Sequence, residues 1–372
     1  MDFEWIDRPE RWLELRDAWD EAVAATACPS LFATFDFLEA CWTHFARPFG
    51  NSLAILALWD GGRLAGFAPF RVSIRRAYGM SRRKLGLLSD WESDRAGVAF
   101  PAGLEKECTI ALMRFLQDHE RRWDLLMLRE VAPESGVARG LGEWCPAQGD
   151  LSLVAEDASP SPFVELEGLT WDGYLSRLGP RTRKNVKRYL HHLEARGGYA
   201  LETFEAAEDM GRALDMYLDV EARSWKRPAG QGIGKDARNR AFYRDLLPRL
   251  AGQGRTSVSF LRLADRPIAA LVEHSMNGVV YAAQTAFDEA TAPLSPGAAL
   301  QALCLKRRIA EGAREYELFA KFLKDKMRWT SQVRPNRDFL VEQRGGLRNR
   351  IVLAGRGVLR HLRGTPGPRL GP

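Results

Sequence analysis

Residues 257–297 carry the strongest fold signal of the chain and read SVSFLRLADRPIAALVEHSMNGVVYAAQTAFDEATAPLSPG. Apolar runs in this stretch are separated by the turn-forming pairs Asp265-Arg266 and Asn277-Gly278, and this alternation predicts a meander of three strands. Leu294-Ser295-Pro296-Gly297 then opens a predicted helix to about Glu311, and a short strand follows. A meander, a helix and a further strand make an α+β pattern.

An earlier part of the chain repeats this pattern. An apolar run, the turn Asp60-Gly61-Gly62 and a mixed strand predict another hairpin. Leu64-Ala65-Gly66 follows this turn as Ile268-Ala269-Ala270 follows the later one, and helical periodicity near 35–47 and 105–120 flanks the hairpin. We therefore predict a duplicated α+β unit in which the two hairpins occupy equivalent places.

The domain organisation follows from composition. Residues 132–162 are rich in proline, glycine, serine and alanine, which predicts a boundary. The expected ranges are a first unit over 1–150, a second unit over 160–343 and a basic C-terminal helix and tail over 344–372. The second unit contains a strongly basic helix, predicted from Pro180 onward because proline suits the first helical turn.

Composition also excludes several classes of protein. The net charge of +6 permits an anionic ligand without requiring one. No uncharged run is long enough to span a bilayer, and the polar, acidic N-terminus lacks the features of a secretory signal. The five cysteines lie far apart, which argues against a disulfide scaffold and for a cytoplasmic protein. Cysteine and histidine also lack metal-ligand spacing, so no metal is expected.

Five short motifs stand in order along the second unit. They are Arg181-Thr182-Arg183-Lys184-Asn185-Val186-Lys187-Arg188, Glu221-Ala222-Arg223-Ser224-Trp225-Lys226, Pro267-Ile268-Ala269-Ala270, Ala286-Phe287-Asp288 with Leu294-Ser295-Pro296-Gly297, and Lys326-Met327-Arg328-Trp329. Together they resemble the FemAB-like and cellulose-biosynthesis-associated branch of the GNAT acyltransferase superfamily. The chain departs from the family pattern in lacking the Q/R-x-x-G-x-G/A phosphate loop, and Glu317 stands in place of an aspartate.

The resemblance implies two tandem GNAT-like units with mixed sheets flanked by helices. It also implies an N-acyltransferase that moves an acyl group from acyl-CoA, as co-substrate, to an amine-bearing acceptor such as a glycan or a cell-envelope precursor. Two alternatives stay open: a FemAB-type transferase that uses aminoacyl-tRNA, and a non-catalytic binding unit of a polysaccharide assembly. An apolar rather than polar cleft around Glu273 and Lys326 would favour the binding unit.

The start of the predicted helix at Pro296 is the candidate site for the pyrophosphate of acyl-CoA. The first N–H groups of a helix lack intrahelical partners, and the helix dipole makes this end positive. The small residues Gly297, Ala298 and Ala299 would let phosphates approach these groups, with Ser295 just before them. The alternative is an ordinary helix start that Ser295 caps.

Acyl transfer to an amine needs a neutral amine, donors for the developing oxyanion and a thiolate that can leave. Glu273 is a candidate base, because a carboxylate in an apolar strand would be partly desolvated and its pKa raised. Glu221 is the second candidate base, and Tyr281 is a candidate acid for the thiolate. The alternatives are a glutamate at a sheet edge, a solvated helix glutamate and a packed tyrosine.

Lys326 and Trp329 lie three residues apart, so they would share one face of a helical turn. In the resembling family this pair marks the active cleft, where Lys326 would neutralise a substrate carboxylate or the oxyanion and Trp329 would wall the pocket. The resemblance also implies substrate contacts of Trp225 and Lys226, and we expect Trp225, Glu273 and Trp329 to converge. The alternative is a solvated lysine over a core tryptophan.

Two basic segments offer binding surfaces for anions. The helix that begins at Pro180 would hold cofactor phosphates, RNA or an acidic glycan, or else be the wet face of an amphipathic helix. The stretch after Glu342 contains seven arginines and no acidic residue. It would give peripheral contact with an anionic membrane at its inner face, or else pack on the protein body.

Overall fold

The computed structural model describes residues 1–77, 79–89, 97–196, 198–319 and 323–345. Its α-helices are α1 (Pro9–Leu13), α2 (Arg16–Ala24), α3 (Phe35–Cys41), α4 (Glu105–Asp118), α5 (Gly136–Ala147), α6 (Trp171–Arg177), α7 (Pro180–Glu194), α8 (Met210–Ala222), α9 (Ala237–Ala251), α10 (Pro296–Ala310) and α11 (Leu323–Lys326). Its strands are β1 (Asp2–Ile6), β2 (Ser52–Asp60), β3 (Arg63–Ala77), β4 (Met80–Leu87), β5 (Leu125–Val131), β6 (Leu151–Glu165), β7 (Tyr199–Phe204), β8 (Thr256–Leu263), β9 (Arg266–Met276), β10 (Val279–Phe287), β11 (Glu315–Glu317) and β12 (Val333–Gln343).

The chain divides into two compact units. The first comprises residues 1–28, 46–158 and the described residues from 336 onward, and the second comprises residues 29–45 and 159–335. These units differ from the expected contiguous ranges 1–150 and 160–343, because the segment 29–45 packs within the second unit and the described residues from 336 onward belong to the first. Phe32 of this segment lies edge-on to Tyr281, with 5.0 Å between the ring centroids. No local sequence pattern reports such a pairing of distant aromatic rings.

The first unit is built on a mixed sheet with the strand order β1-β2-β3-β4-β5-β12. Neighbouring strands run antiparallel except β4 and β5, which are parallel and are joined through α4. Parallel neighbours need such a crossover, because a tight turn reverses the direction of the chain. The core of this unit packs α4 on the sheet around the fully buried Trp123.

The second unit repeats this topology. Its strand order is β7-β8-β9-β10-β11-β6, with β10 and β11 parallel and joined through α10, and with the other neighbours antiparallel. The hairpins β2–β3 and β8–β9 thus form the second and third strands of their units. This confirms the predicted duplication, and it confirms the α+β class with mixed sheets flanked by helices.

The chain passes from the first unit to the second between residues 158 and 159, within the predicted boundary 132–162, but most of this segment is regular structure rather than a linker. It holds α5 and most of β6, which contains Pro160 and Pro162. Backbone groups of residues two apart on a strand point to the same side, so both missing N–H groups fall on one edge of β6. The composition of the segment suggested a linker, whereas the spacing of its prolines is compatible with a strand.

Different elements cover the two faces of the second unit's sheet. Val280 packs with Leu305 of α10 and Val186 of α7, and we call this the α10 face. Tyr281 points the other way, because neighbouring residues on a strand alternate between faces, and it contacts Phe32. We call that side the Tyr281 face.

Candidate functional site

β10 and β11 run side by side over a short distance only. Residues 279–281 pair with 315–317, and β10 then continues to Phe287 without a ladder partner on that side in the described chain. A register shift against β9, between Ala282 and Gln284, bulges β10 where the two strands part. Because ligands of open α/β sheets bind at the carboxyl ends of parallel strands, we take this β10–β11 opening, alongside residues 282–287 of β10, as the candidate site.

The first turn of α10 lies beside the end of β10. A Cβ placed on Gly297 would come within 3.2 Å of Cδ1 of Phe287. Ser295 has a left-handed backbone (φ 54°), and its carbonyl oxygen accepts the N–H groups of Ala298 and Ala299 at 3.1 and 3.0 Å. The backbone N–H groups of residues 297–299 were expected to meet the phosphates. Of these three, only that of Gly297 has no hydrogen-bond acceptor within the described chain. The alternative of a Ser295 cap is not found either, because this side chain makes no capping hydrogen bond.

Glu273 belongs to a buried hydrogen-bond network. Its Oε2 accepts Nε and Nη2 of Arg308 at 3.1 and 2.9 Å, and its Oε1 accepts the hydroxyl of Tyr316 at 2.6 Å. The side chain is 1 % exposed, and β9 lies between two other strands rather than at an edge. Glu273 is therefore neither a partly desolvated base without partners nor a solvent-exposed residue at a sheet edge. A base must reach its substrate, so we assign Glu273 a structural role.

Glu221 holds a loop rather than facing solvent. Its two carboxylate oxygens accept the N–H groups of Ile233 and Gly234 at 3.0 and 2.5 Å. Gly232, with φ +89°, lies so close that a Cβ there would collide with the carboxylate. Charge-assisted bonds of this kind are about twice as strong as neutral ones. The glutamate is thus a buried, fixed acceptor for the loop rather than the solvated helix residue of the alternative reading.

Two expected site residues are packed in the interior. Tyr281 is 3 % exposed and stacks on Phe319, as well as contacting Phe32. Trp329 is buried in the core beside α10, and its carbonyl oxygen accepts the hydroxyl of Tyr174 at 2.9 Å. The packed alternatives stated for both residues describe the structure better than the roles of acid and pocket wall.

Lys326 ends α11, and Trp329 follows in the next turn rather than in the same helix. The Nζ of Lys326 donates to the carbonyl oxygen of Phe319 at 2.9 Å. Phe319 lies two residues beyond the end of β11, so this bond brings the lysine to the β10–β11 opening. Lys326 therefore stays a candidate for neutralising charge at that place.

Lys226 reaches a polar partner that the sequence analysis did not single out. Its Nζ donates to Oε1 of Gln284 at 3.1 Å. Gln284 pairs with Val272, which alternates with Glu273 along β9, so Gln284 lies on the Tyr281 face. The available signal was a lone amide in the otherwise apolar run of β10.

Of the three residues expected to converge, Glu273 and Trp329 pack on the α10 face. Lys226, by contrast, bonds to Gln284 on the Tyr281 face. The sheet thus separates the two groups. Lys226 and Lys326 are the expected residues that the structure places at the β10–β11 opening.

A separate cleft of about 380 Å³ lies at the other end of α10. It is lined by the β9–β10 turn around Asn277, by Arg255, and by residues 311–313 just after α10. These residues lie where β10 begins, whereas the β10–β11 opening lies where β10 ends. The cleft is therefore distinct from the candidate site and serves below as an internal control.

The basic helix α7 presents several cations to solvent. Arg181, Lys184 and Lys187 are exposed, and none of them forms an ion pair within the described chain. Leu193, near the end of α7, packs with Leu300 near the start of α10. Of the expected basic C-terminal helix and tail over 344–372, residues 346–372 lie outside the described residues.

Across the residues that the structure describes, no group of three or more His, Cys, Asp or Glu side chains is placed to hold a metal ion. No helix in the same residues is long and apolar enough to cross a membrane. None of the five cysteines, all of which lie in the described ranges, forms a disulfide.

Residues 180–327 match the family of acetyltransferase (GNAT) domains. This match lies within the second unit. The matched residues run from α7 to α11, so they include the β10–β11 opening, the start of α10 and both candidate lysines. No curated protein matches this sequence.

The whole chain is similar in fold to several solved structures. FemX aligns with 98 % of this chain and 100 % of its own, at 10 % identity and a TM-score of 0.63. A Bacteroides thetaiotaomicron protein of unknown function aligns with 92 % and 100 %, at 12 % identity and a TM-score of 0.57. The C-terminal domain of a putative lysylphosphatidylglycerol synthetase from Agrobacterium fabrum aligns with 87 % and 96 %, at 13 % identity and a TM-score of 0.50.

These likenesses confirm the resemblance to the GNAT superfamily and, at the level of fold, to its FemAB-like branch. A GNAT domain in a chain with the fold of FemX supports an acyl or aminoacyl transferase in general.

Proposed function

We propose that the second unit transfers an acyl group from acyl-CoA to an amine and so forms an amide. The observation that carries this proposal is that β10 bulges and parts from β11 beside the first turn of α10. The opening offers an extended thioester arm a groove between two strands. The N–H of Gly297 and the helix dipole offer its pyrophosphate an anchor.

The reaction has a simple balance. The amine nitrogen attacks the thioester carbonyl carbon, a C–N bond forms, the C–S bond breaks, and CoA leaves as a thiolate. Glu273 and Glu221 are both engaged in fixed hydrogen bonds, so the proton of the amine goes to water. Lys326, at the opening, would neutralise negative charge on the reacting groups.

We further propose a glycan or cell-envelope precursor as the acceptor, acted on in the cytoplasm. The support is a neighbour in fold that is named for lysylphosphatidylglycerol synthesis, together with the resemblance described above. Five cysteines that form no disulfide suit a reducing compartment. The basic residues 346–372 would supply contact with the inner face of the membrane.

A second candidate donor is aminoacyl-tRNA. It is favoured by the exposed cations of α7, since unpaired Lys and Arg side chains attract phosphates, and by the fold of FemX. A non-catalytic binding unit is less well supported, because the polar pair Lys226–Gln284 lies at the β10–β11 opening, where an apolar docking cleft would be required.

Replacement of Gly297 by glutamate should weaken acetyl-CoA binding roughly 10²-fold, because it puts a carboxylate where pyrophosphate would lie. An acidic residue in the first turn favours the helix, so the melting temperature should stay within a few degrees. The measurement is calorimetric titration of each purified variant with acetyl-CoA. Gly297→Ala is the matched control, because its Cβ meets Phe287 in the same way but adds no charge. Equal affinity of the glutamate and alanine variants would refute the anchor.

A further inference from the structure

We propose that Lys226 is a catalytic residue whose ammonium group hydrogen-bonds to the thioester carbonyl oxygen, and that Gln284 and Glu221 are its positioning residues. This inference rests on the proposed acyl-CoA site and assigns the oxyanion donor of that site. It differs from charge neutralisation by Lys326, which bonds to the carbonyl oxygen of Phe319 just beyond the end of β11.

Gln284 lies just after the bulge of β10, beyond the part of the strand that pairs with β11. It is the first residue after the bulge that pairs with β9, and it lies three residues beyond the last pairing of β10 with β11. Its side chain is therefore on the part of the strand that borders the opening. The Nζ of Lys226, 3.1 Å from Oε1 of Gln284, is brought to the same place.

The second step concerns the backbone of Lys226, which is held on both sides. Its N–H donates to the hydroxyl oxygen of Ser224 at 3.2 Å, and its carbonyl oxygen accepts the N–H of Gln231 at 2.9 Å. The side chain is half-buried, so its hydrogen bonds lie in a medium of lower dielectric than water, where they are stronger.

The third step concerns Glu221, which fixes the loop that holds Lys226. Its carboxylate accepts two successive N–H groups, those of Ile233 and Gly234, just after Gln231. The tight approach of Gly232 to the carboxylate leaves no room for a side chain there. The buried carboxylate of Glu221 thus fixes the loop that holds the backbone of Lys226, and Gln284 fixes the position of the Lys226 ammonium group.

The chemistry needs no proton from Lys226. As the amine attacks, the carbonyl electron pair moves to oxygen, and the ammonium stabilises the oxyanion by a charge-assisted hydrogen bond. When the intermediate collapses, the pair returns, the C–S bond breaks and CoA leaves as a thiolate. Removal of one such donor typically lowers kcat by about 10²–10³-fold.

The test uses full-length protein with [1-¹³C]acetyl-CoA and infrared difference spectroscopy. A hydrogen bond to the carbonyl weakens the C=O bond, so the ¹³C=O band of bound acetyl-CoA should lie at lower wavenumber than that of the free compound. Lys226→Met keeps the side-chain length and removes the donor. We expect it to abolish the shift while the dissociation constant of acetyl-CoA changes less than about threefold.

The controls separate the roles. Lys235→Met makes the same charge change at an exposed residue of the same loop and should keep the full shift. Gln284→Leu and Glu221→Gln should each reduce the shift of the ¹³C=O band and leave the affinity for acetyl-CoA unchanged. Replacement of a residue with a merely structural role would not reduce this shift at unchanged affinity. An unaltered band in Lys226→Met with acetyl-CoA bound would overturn this inference and leave the proposed function standing. Failure of the wild type to bind acetyl-CoA would overturn both.

Discussion

Glu273→Ala should lower the free energy of unfolding by about 3–5 kcal/mol, because it leaves a buried guanidinium without its carboxylate. The Arg308 side chain is 10 % exposed and donates two bonds to Glu273. Burial lowers the pKa of Arg308, and Glu273 and Glu311 raise it. A guanidinium is so basic that it is not deprotonated in proteins, so the arginine stays charged when Glu273 is lost. The hydroxyl of Tyr316 also loses its acceptor. Urea unfolding at pH 7 measures the change.

A matched control comes from the other carboxylate on Arg308. Glu311 accepts Nη1 of Arg308 at 2.8 Å but is 41 % exposed, so Glu311→Ala should cost less than about 1 kcal/mol. The double variant E273L/R308M removes both charges and should recover most of the lost stability. A loss of under 1 kcal/mol in Glu273→Ala would contradict the assignment of a structural role.

His274 should make the protein sensitive to acid. The ring is buried on β9, and burial lowers the pKa of His274 from its usual 6.5 to about 4. The hydroxyl of Thr256 donates to the carbonyl oxygen of Glu273, so it accepts from Nδ1–H of the neutral imidazole. As the pH falls below 6.5, His274 binds a proton in the unfolded protein, whereas in the folded protein it stays neutral until about pH 4. Stability is therefore lost on acidification across this window, by about 3 kcal/mol in total.

The measurement is the free energy of unfolding from urea titrations at several pH values between 7 and 4. His274→Asn keeps an amide N–H near the place of Nδ1 but does not titrate, so the gap between the variant and the wild type should shrink or reverse by about 3 kcal/mol as the pH falls. His192→Asn, at an exposed residue of α7, should run parallel to the wild type. A constant gap for His274→Asn would show that the buried ring does not titrate in this way.

Those elements of the fold that have local signals could be predicted from the sequence. The meander β8–β9–β10, the start of α10 at Pro296 and the start of α7 at Pro180 follow from alternation, turn pairs and the first-turn preference of proline. What could not be predicted depends on distant partners. The placement of 29–45 rests on aromatic contacts across some 250 residues of chain, and β6 was concealed by its composition.

The candidate site was predictable to a smaller extent. Glu273 stands out in the sequence as a charge in an apolar strand. Its partner Arg308 lies 35 residues away and belongs to none of the motifs, so the sequence does not reveal the pair. Lys226 was implied by the family resemblance, whereas Gln284 becomes meaningful only when the bulge and the parting of β10 and β11 are known. The sequence shows which side chains are chemically unusual, but it does not show which distant residues they hydrogen-bond with.

Hydrogen–deuterium exchange of the full chain, with and without saturating acetyl-CoA, tests the central claim most directly. Exchange slows where a ligand covers backbone amides or stabilises their hydrogen bonds. The account predicts protection of residues 282–299, which comprise the bulged end of β10 and the first turn of α10, and unchanged exchange of 311–313 in the separate cleft. Protection confined to that cleft, or no protection by acetyl-CoA anywhere in the second unit, would contradict it.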